Sequence, residues 1–268
     1  MLNKKNILFA GLFILTNFKT KASEFENNSS LATQKLQKYE KFLVEGTYSD
    51  QDFNYFSKYP KSRYYSFKFA FEYFEQINGK IIVELGTTRS FVHGGLIGCN
   101  SNDTRYWTPN NPENWDWGAG AFTLMAGECL SHMNPKIYTV DLASDHIQRC
   151  RLMTQEFKNI THVISDSRDF IRTLPAKSVD LLYLDTGDMT PIEPTAQLQL
   201  SEAQLIVERD IISDNGIIVI DDVRNPTPKK FGEKSDLGKS KYALEFFLSR
   251  GFEILIDEYQ VILKRKNK

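Results

Sequence analysis

The chain has 268 residues, of which 41% are hydrophobic and 25% charged, a balance typical of a soluble globular protein and not of a disordered or membrane-embedded one. The formal net charge of −1 gives no electrostatic reason to expect a nucleic-acid partner, and the basic tail Lys264–Lys268 is interpreted as a solvated end. Three cysteines are too few for a disulfide framework.

The first residues have the layout of a secretory signal. Lys4 and Lys5 precede the apolar run Ile7–Leu15, and Thr20–Ala22 places small residues near a candidate cleavage point. The run is shorter than the roughly 20 apolar residues that a spanning helix needs. We predict a signal-peptide-like segment over 1–22, with an uncleaved anchoring helix as the alternative, and expect membrane contact only there.

Residues 23–76 are predicted to form a helical extension ahead of the main domain. Apolar residues at helical spacing predict a helix over Leu31–Leu43, and the aromatic run Tyr64–Ile77 predicts another that ends near Gly79. An aromatic stripe at this spacing is more often core than cofactor site. The second helix is therefore expected to pack against a sheet.

The stretch after Lys80 is the centre of the sequence. Ile81–Leu85 is an apolar, β-branched run, and Gly86 follows it, a pattern typical of a buried parallel strand that meets a ligand-binding turn. Gly86 lets the backbone approach a bound molecule closely. Glu84 is placed in the crevice where open α/β sheets bind ligands.

An insertion over 92–134 interrupts the expected strand–helix–strand unit. Its turn-forming residues do not build a core by themselves, and we predict a substrate lid, with Phe122–Leu130 as the displaced helix. The alternative is a packed excursion that its tryptophans only anchor. The tryptophans are Trp107, Trp115 and Trp117.

Two further interpretations concern the cysteines of this insertion. Cys99 and Cys129 are the plausible partners if any disulfide closes. A zinc site from these cysteines with His93 and His132 is an alternative, although their spacing follows no standard ligand pattern.

The next strand, Lys136–Val140, ends at Asp141. In nucleotide-binding α/β units an acid at this point accepts hydrogen bonds from ribose hydroxyls. A helix is predicted over Ser144–Phe157 and a strand over His162–Ser165. The two residues that directly follow this strand are Asp166 and Ser167. They suit either a contact with the adenine of a cofactor or the N-cap of a helix over Arg168–Leu174.

Two more strands also end in acids. Val179–Leu184 precedes Asp185, and Ile217–Ile220 precedes Asp221 and Asp222. Between them we predict a helix over Thr195–Ile212 and a turn at Asp214–Gly216. A helix over Lys241–Ser249 and a hairpin of Phe252–Ile256 with Gln260–Leu263 complete the chain. The fold predicted is a Rossmann-like, doubly wound, mostly parallel sheet with a C-terminal antiparallel hairpin, over 77–268.

On these motifs the chain from about Tyr64 to Lys264 resembles the class I S-adenosylmethionine-dependent methyltransferases, and among them the metal-dependent catechol-type O-methyltransferases. The resemblance rests on the turn Val83–Gly86, on Asp141, and on the two strand ends with acids. It implies S-adenosylmethionine as cofactor, Mg²⁺ as the divalent cation, and O-methylation of a small hydroxylated acceptor. The cofactor-binding residues that it implies are Glu84, Gly86, Thr87, Ser90, Asp141, Leu142, Asp166 and Ser167.

The same resemblance assigns the chemistry. Asp185, Asp221 and Asp222 are the implied metal ligands, and Asp185 and Asp188 the implied catalytic residues. Asp188 stands where the catechol-type enzymes have a lysine, so it is a base or a fourth ligand. Ser90 stands where the turn often has another glycine.

Two alternatives stay open. A non-catalytic protein that binds a ligand or a partner is the alternative function, while a nicotinamide-dependent oxidoreductase is disfavoured because Gly-x-Gly-x-x-Gly is absent after the first strand. The N-terminal segment indicates export or anchoring, whereas the implied cofactor is made inside cells and indicates a catalytic domain facing the cytoplasm.

Overall fold

The computed structural model describes residues 29–45, 63–91, 115, 121–189, 191–223 and 237–266. Within these ranges the α-helices and strands alternate along most of the chain. The helices are α1 (Leu31–Leu36), α2 (Glu40–Glu45), α3 (Tyr64–Gln76), α4 (Phe122–Cys129), α5 (Ser144–Met153), α6 (Ser167–Thr173), α7 (Ile192–Glu208) and α8 (Lys241–Ser249). The strands are β1 (Ile81–Leu85), β2 (Lys136–Asp141), β3 (Ile160–Ile164), β4 (Val179–Leu184), β5 (Ile212–Ile220), β6 (Phe252–Asp257) and β7 (Val261–Arg265).

The seven strands form one sheet in the order β3-β2-β1-β4-β5-β7-β6. The first five are parallel, and β7 lies antiparallel between β5 and β6. The predicted Rossmann-like fold with a C-terminal antiparallel hairpin is confirmed. The strand order reverses direction at β1 and β4, which is where open α/β sheets bind their ligands.

Helices cover both faces of the sheet, as a doubly wound fold requires. Successive strand residues point to opposite faces, and the neighbours Leu181 and Leu182 accordingly belong to two different hydrophobic cores. One core is shared with α1, α3 and α4, and the other with α6, α7 and α8. Burial on both faces explains why these strands are apolar throughout.

The described parts of the N-terminal extension, residues 29–45 and 63–76, are mostly helical and contribute to the main core. Leu36 and Phe42 lie in the same buried cluster as Phe71 of α3 and Phe122 of α4. The extension also makes polar contacts with α3, because the Ala32 N–H donates to the Glu75 carboxylate at 3.1 Å. In the described part of the chain, no helix is long and apolar enough to cross a membrane. Segment 1–22 lies outside the described residues.

The predicted helix over Thr195–Ile212 and the turn at Asp214–Gly216 are wrong in part. The helix ends at Glu208, and Ile212 already belongs to β5, which continues through Asp214–Gly216. The pairs Val179 with Ile212 and Leu181 with Ile217 show a register shift that accommodates the extra residues of β5. The Asp-Asn-Gly signal therefore marks a bulge and not a chain reversal. The helix predicted to reach Phe157 ends at Met153.

Trp115 was predicted to belong to a substrate lid, and the structure places it in the core instead. Its side chain is 1% exposed, and its ring lies 5.6 Å from that of Tyr39 and 5.5 Å from that of Phe42. The alternative of a tryptophan that anchors the insertion is therefore correct for Trp115. Trp107 and Trp117 lie outside the described residues.

The predicted pairing of Cys99 with Cys129 is also wrong, because Cys129 is a free thiol on the buried face of α4. Burial raises its pKa to about 12, which disfavours the thiolate that a zinc site needs. His132, another residue of the alternative zinc site, pairs with Glu75 at 2.7 Å. Cys99 and His93 lie outside the described residues.

We expect Trp115→Ala to reduce the free energy of unfolding by about 3–5 kcal/mol, because it leaves a large cavity between the extension and the insertion. Trp115→Phe should cost less, since a smaller aromatic ring still fills much of the volume. Urea unfolding followed by circular dichroism measures both changes. A loss below about 1 kcal/mol for the alanine variant would contradict the buried position of the indole.

Candidate functional site

The carboxyl ends of four parallel strands bring the predicted site residues to one edge of the sheet. Val140, Leu85, Leu184 and Ile220 pair in register across β2, β1, β4 and β5. The residue that follows each of them is therefore at the same level. These residues are Asp141, Gly86, Asp185 and Asp221. Their side chains and backbone form what we call the rim.

Gly86 is required by the close approach of β1 and β4. Its φ is +85°, and a Cβ at this position would lie 2.5 Å from the carbonyl oxygen of Asp185. Both the backbone angle and the lack of space exclude a larger residue. The Gly86 N–H donates to the Val140 carbonyl at 2.8 Å, so the turn is fixed against β2.

Asp141 holds the same turn from the other side. Its carboxylate accepts hydrogen bonds from the Thr87 N–H at 3.1 Å, the Ala143 N–H at 2.8 Å and His146 Nδ1 at 3.3 Å. Burial acts to raise the pKa of Asp141, but the hydrogen bonds from His146 and the two backbone groups outweigh it and lower the pKa. The bond to Asp141 in turn raises the pKa of His146.

Two apolar side chains lie exposed beside Asp141. Leu142, a predicted cofactor residue, is 72% exposed, and Ile164, which pairs with Asp141 across β2 and β3, is 57% exposed. Sequence reasoning did not single out Ile164, although its place at the end of β3 follows from the strand pairing. Together they offer an apolar surface next to a carboxylate. That combination suits the adenine and ribose of a nucleoside.

Glu84 is buried and faces α4. Its carboxylate accepts hydrogen bonds from the hydroxyls of Thr123 and Thr139. Burial raises the pKa of Glu84 to about 7, against the opposing effect of these hydroxyl contacts. Its observed role is to join β1, β2 and α4, and contact with a cofactor stays a prediction, as it does for the half-buried Thr87 and the buried Ser90.

Asp166 takes up the second of the two roles considered for this pair, and Ser167 is the first residue of α6. Asp166 is the N-cap of α6 and accepts from the Arg168 N–H at 2.8 Å and from the Arg168 guanidinium at 2.6 Å. The Ser167 hydroxyl donates to Glu202, which is fully buried and also accepts from Thr186. An adenine contact from either residue stays a prediction.

Asp185, Asp221 and Asp222 lie together, as predicted. One carboxylate oxygen of each is within 4.8 Å of the other two. Asp221 is 0% exposed, and Asp222 has a φ of 50°, a left-handed conformation that aspartate tolerates better than most residues. Asp185 and Asp222 are half-buried, and three carboxylates held this close together require compensating charge.

Two cationic side chains supply this charge, and sequence reasoning missed both. The Arg63 guanidinium binds both oxygens of Asp221, with Nε at 3.1 and 3.0 Å. The Lys239 ammonium donates to Asp185 Oδ1 at 2.7 Å and lies 3.0 Å from Asp222 Oδ2. Burial lowers the pKa of Lys239, but the carboxylates outweigh it and raise the pKa, so the side chain is charged. For Asp185 burial is the largest effect, and its pKa is raised.

Further groups engage the remaining oxygens of this cluster. The Gln260 amide donates to Asp221 Oδ1 at 3.0 Å, and the Tyr259 hydroxyl donates to Asp222 Oδ1. Gln260 also reaches the Tyr183 hydroxyl at 3.1 Å and accepts from Ser66. Elements from opposite ends of the chain therefore meet at the rim.

Whether these residues suit a divalent cation depends on two observations. The donor set is all oxygen and its spacing is compatible with Mg²⁺, which prefers carboxylate ligands. However, Arg63 holds both oxygens of Asp221, and Lys239 lies between Asp185 and Asp222. As arranged, both oxygens of Asp221 and one oxygen each of Asp185 and Asp222 already contact a cationic side chain, so the acids do not fit an additional dication.

Asp188 does not join the cluster of the three acids. Its side chain is 66% exposed and pairs with Arg89 from the loop after β1. A role as fourth metal ligand is therefore not supported by its position. A role as base stays a prediction.

Comparison with known proteins concerns the fold. No protein-family model matches the chain, and no curated protein matches it in sequence. Similar solved structures include the methyltransferase PaMTH1 of Podospora anserina bound to SAH, with 13% identity, 94% of this chain and 96% of that chain covered, and a TM-score of 0.48. The N-methyltransferase NodS of Bradyrhizobium japonicum WM9, bound to S-adenosyl-L-homocysteine, has 13% identity, coverages of 89% and 100%, and a TM-score of 0.44.

Both of these structures have SAH bound. Fibrillarin of Aeropyrum pernix, with bound S-adenosyl-L-methionine, is similar at 17% identity over 69% of this chain and 65% of that chain, with a TM-score of 0.36. The sheet of this chain is Rossmann-like by its strand order.

The burial of Glu84 predicts a pH dependence of stability. In the folded protein the Glu84 carboxyl keeps its proton up to about pH 7, whereas in the unfolded chain it loses this proton near pH 4.5. The stability that Glu84 contributes is therefore complete below pH 4.5 and falls as pH rises towards 7. The free energy of unfolding of Glu84→Gln, relative to that of wild type, should increase by up to about 3 kcal/mol as the pH rises between these limits. Urea unfolding at both limits measures the difference, and the exposed Glu156→Gln should show no such gain.

The pair of Arg63 and Asp221 predicts a large loss of stability. Arg63→Met should lower the free energy of unfolding by about 3–5 kcal/mol, because it leaves Asp221 buried without its fork-shaped partner. The double variant Arg63→Met with Asp221→Leu should recover part of this loss. Denaturant unfolding of wild type, of Arg63→Met, of Asp221→Leu and of the double variant measures these effects. A double variant less stable than the sum of the two single changes would contradict this interpretation.

Proposed function

We propose that the protein is an S-adenosylmethionine-dependent methyltransferase that acts on an oxygen of a small hydroxylated acceptor. The observation that carries the proposal is the rim. There a glycine turn, a ribose-binding type of carboxylate and an apolar surface lie on β1, β2 and β3, beside the acids of β4 and β5. The position at the reversal of strand order is the one that open α/β sheets use for ligands.

The cofactor would lie along the first half of this rim. Asp141 already accepts three hydrogen bonds that fix its carboxylate, and about one acceptor site of the carboxylate is left for a ribose hydroxyl. Leu142 and Ile164 would flank the adenine. The Gly86 turn would allow the rest of the molecule to pass close to the backbone, towards Asp185.

S-adenosylmethionine, when bound, supplies a methyl group on a positively charged sulfur. The chain's own contribution is to hold an acceptor hydroxyl in line with that methyl group, since such transfers depend largely on positioning. Asp185 is the group we assign to receive the hydroxyl proton, because it lies at the reversal point beside the Gly86 turn. Lys239 would position Asp185 through the 2.7 Å bond between them.

The divalent cation implied by the resemblance is not included in this proposal. It would have to displace Lys239 from Asp185 and Asp222 before it could bind them. The oxygen acceptor is proposed from the resemblance alone, and transfer to nitrogen is the outcome that product analysis would reveal.

Cofactor binding tests the proposal. Calorimetry should detect binding of S-adenosylmethionine and no binding of NAD. Asp141→Ala should weaken the binding by about tenfold or more, because a charge-assisted hydrogen bond to the ribose is lost. Asp214→Ala, near the amino end of β5 and 76% exposed, is the matched control and should bind as wild type does.

The outcomes separate the alternatives. If the folded wild-type protein binds neither molecule, the methyltransferase proposal is wrong and a non-catalytic binding protein is favoured. If S-adenosylmethionine binds equally well to Asp141→Ala, the assignment of Asp141 to the ribose is wrong while the activity still stands.

A further inference from the structure

The ammonium of Lys239 occupies the position among the rim acids that a bound cation would take. The residue is 2% exposed. Its Nζ lies 2.7 Å from Asp185 Oδ1, 3.0 Å from Asp222 Oδ2 and 2.7 Å from the carbonyl oxygen of Gly187. An ammonium has three N–H donors, so three close oxygens satisfy it fully.

The backbone around Lys239 is fixed on the end of β5. The Gly238 N–H donates to the Val223 carbonyl at 2.7 Å, and the Ser240 hydroxyl donates to the Asp221 carbonyl at 2.7 Å. A Cβ at Gly238 would lie 2.1 Å from the Asp222 carbonyl oxygen, so this segment is packed directly on the acids. Lys239 is therefore part of a built site and is not a surface lysine that happens to reach it.

A metal ion and this ammonium cannot share the acids. Mg²⁺ binds its oxygens at about 2.1 Å, and to reach both Asp185 and Asp222 it would have to enter the space that Nζ holds. Two cations at about 3 Å repel each other strongly in a buried site. The third acid, Asp221, is no alternative ligand for the metal ion, because Arg63 binds both of its carboxylate oxygens.

We propose that Lys239 is a built-in replacement for the divalent cation, so that its ammonium bridges Asp185 and Asp222 and the site works without a metal ion. The part of this inference that concerns catalysis rests on the proposed function, in which Lys239 is a positioning residue. The part that concerns ion binding does not.

Manganese binding tests the inference. Mn²⁺, followed by the electron paramagnetic resonance of the free ion, should not bind to the wild-type rim at millimolar concentration. Lys239→Ala frees two carboxylates and should bind Mn²⁺ at least about tenfold more tightly than wild type. Adding Asp222→Asn to that variant should abolish the binding. Lys239→Met, which keeps most of the side-chain volume, serves if the alanine variant does not fold.

Two results would overturn the inference. The first is Mn²⁺ binding to wild type that Asp185→Asn removes, and this titration needs no lysine variant. The second is a folded Lys239→Ala or Lys239→Met that binds Mn²⁺ no better than wild type. In parallel, calorimetry with S-adenosylmethionine should give the same affinity in EDTA and in Mg²⁺. If S-adenosylmethionine binds neither in EDTA nor in Mg²⁺, the proposed function is contradicted. The manganese result then decides this inference by itself.

Discussion

One buried and two half-buried carboxylates lie side by side at the ends of β4 and β5, and they can be held there only because two cationic side chains reach them from elsewhere in the chain. Arg63 comes from the start of α3 and Lys239 from the loop before α8. An uncompensated charge in such a place costs several kcal/mol. The docking of α3 and of the loop before α8 onto the sheet is therefore coupled to the state of the rim.

This coupling explains why the helical extension belongs to the main domain. Arg63 is the N-cap residue of α3, and its backbone N–H donates to the Leu43 carbonyl at 3.1 Å. The same residue thus contacts α2 through its backbone and Asp221 through its side chain. Loss of the extension would expose one hydrophobic core and also remove the partner of a buried acid.

The fold could be predicted well from the sequence because each strand is indicated by a short stretch of neighbouring residues. Four of the parallel strands, β1, β2, β4 and β5, finish in an apolar run that meets Gly or Asp, and the register of parallel strands then brings these ends to one edge without further assumptions. Predictions from local sequence were wrong where contacts with distant parts of the chain determine the structure. Asp214–Gly216 has a turn composition but lies in a bulge of β5, and Trp115 has loop neighbours but packs on Tyr39 and Phe42.

The cations of the rim were missed for the same reason. Arg63 lies 158 positions from Asp221, and Lys239 lies 54 positions from Asp185, so no motif spacing links them. The acid cluster itself contained the signal, because three adjacent carboxylates require positive charge from a distant segment or from an ion. From sequence alone, the ion was the simpler of these two sources.

Asp188 and Lys239 show that a positive charge can reach one edge of the sheet from a different position in the sequence. The resemblance implies a lysine at position 188, near the reacting oxygen, but here that position carries an acid that faces outward to Arg89. The ammonium reaches the same edge of the sheet from Lys239 and bonds to the carbonyl oxygen of Gly187, the residue before Asp188. A charge near a reacting atom is defined by its location and not by its place in the sequence, as unrelated folds with the same catalytic groups demonstrate. A search for this site in other sequences should therefore look for a lysine that packs on the end of β5, and not for a motif of fixed length after β4.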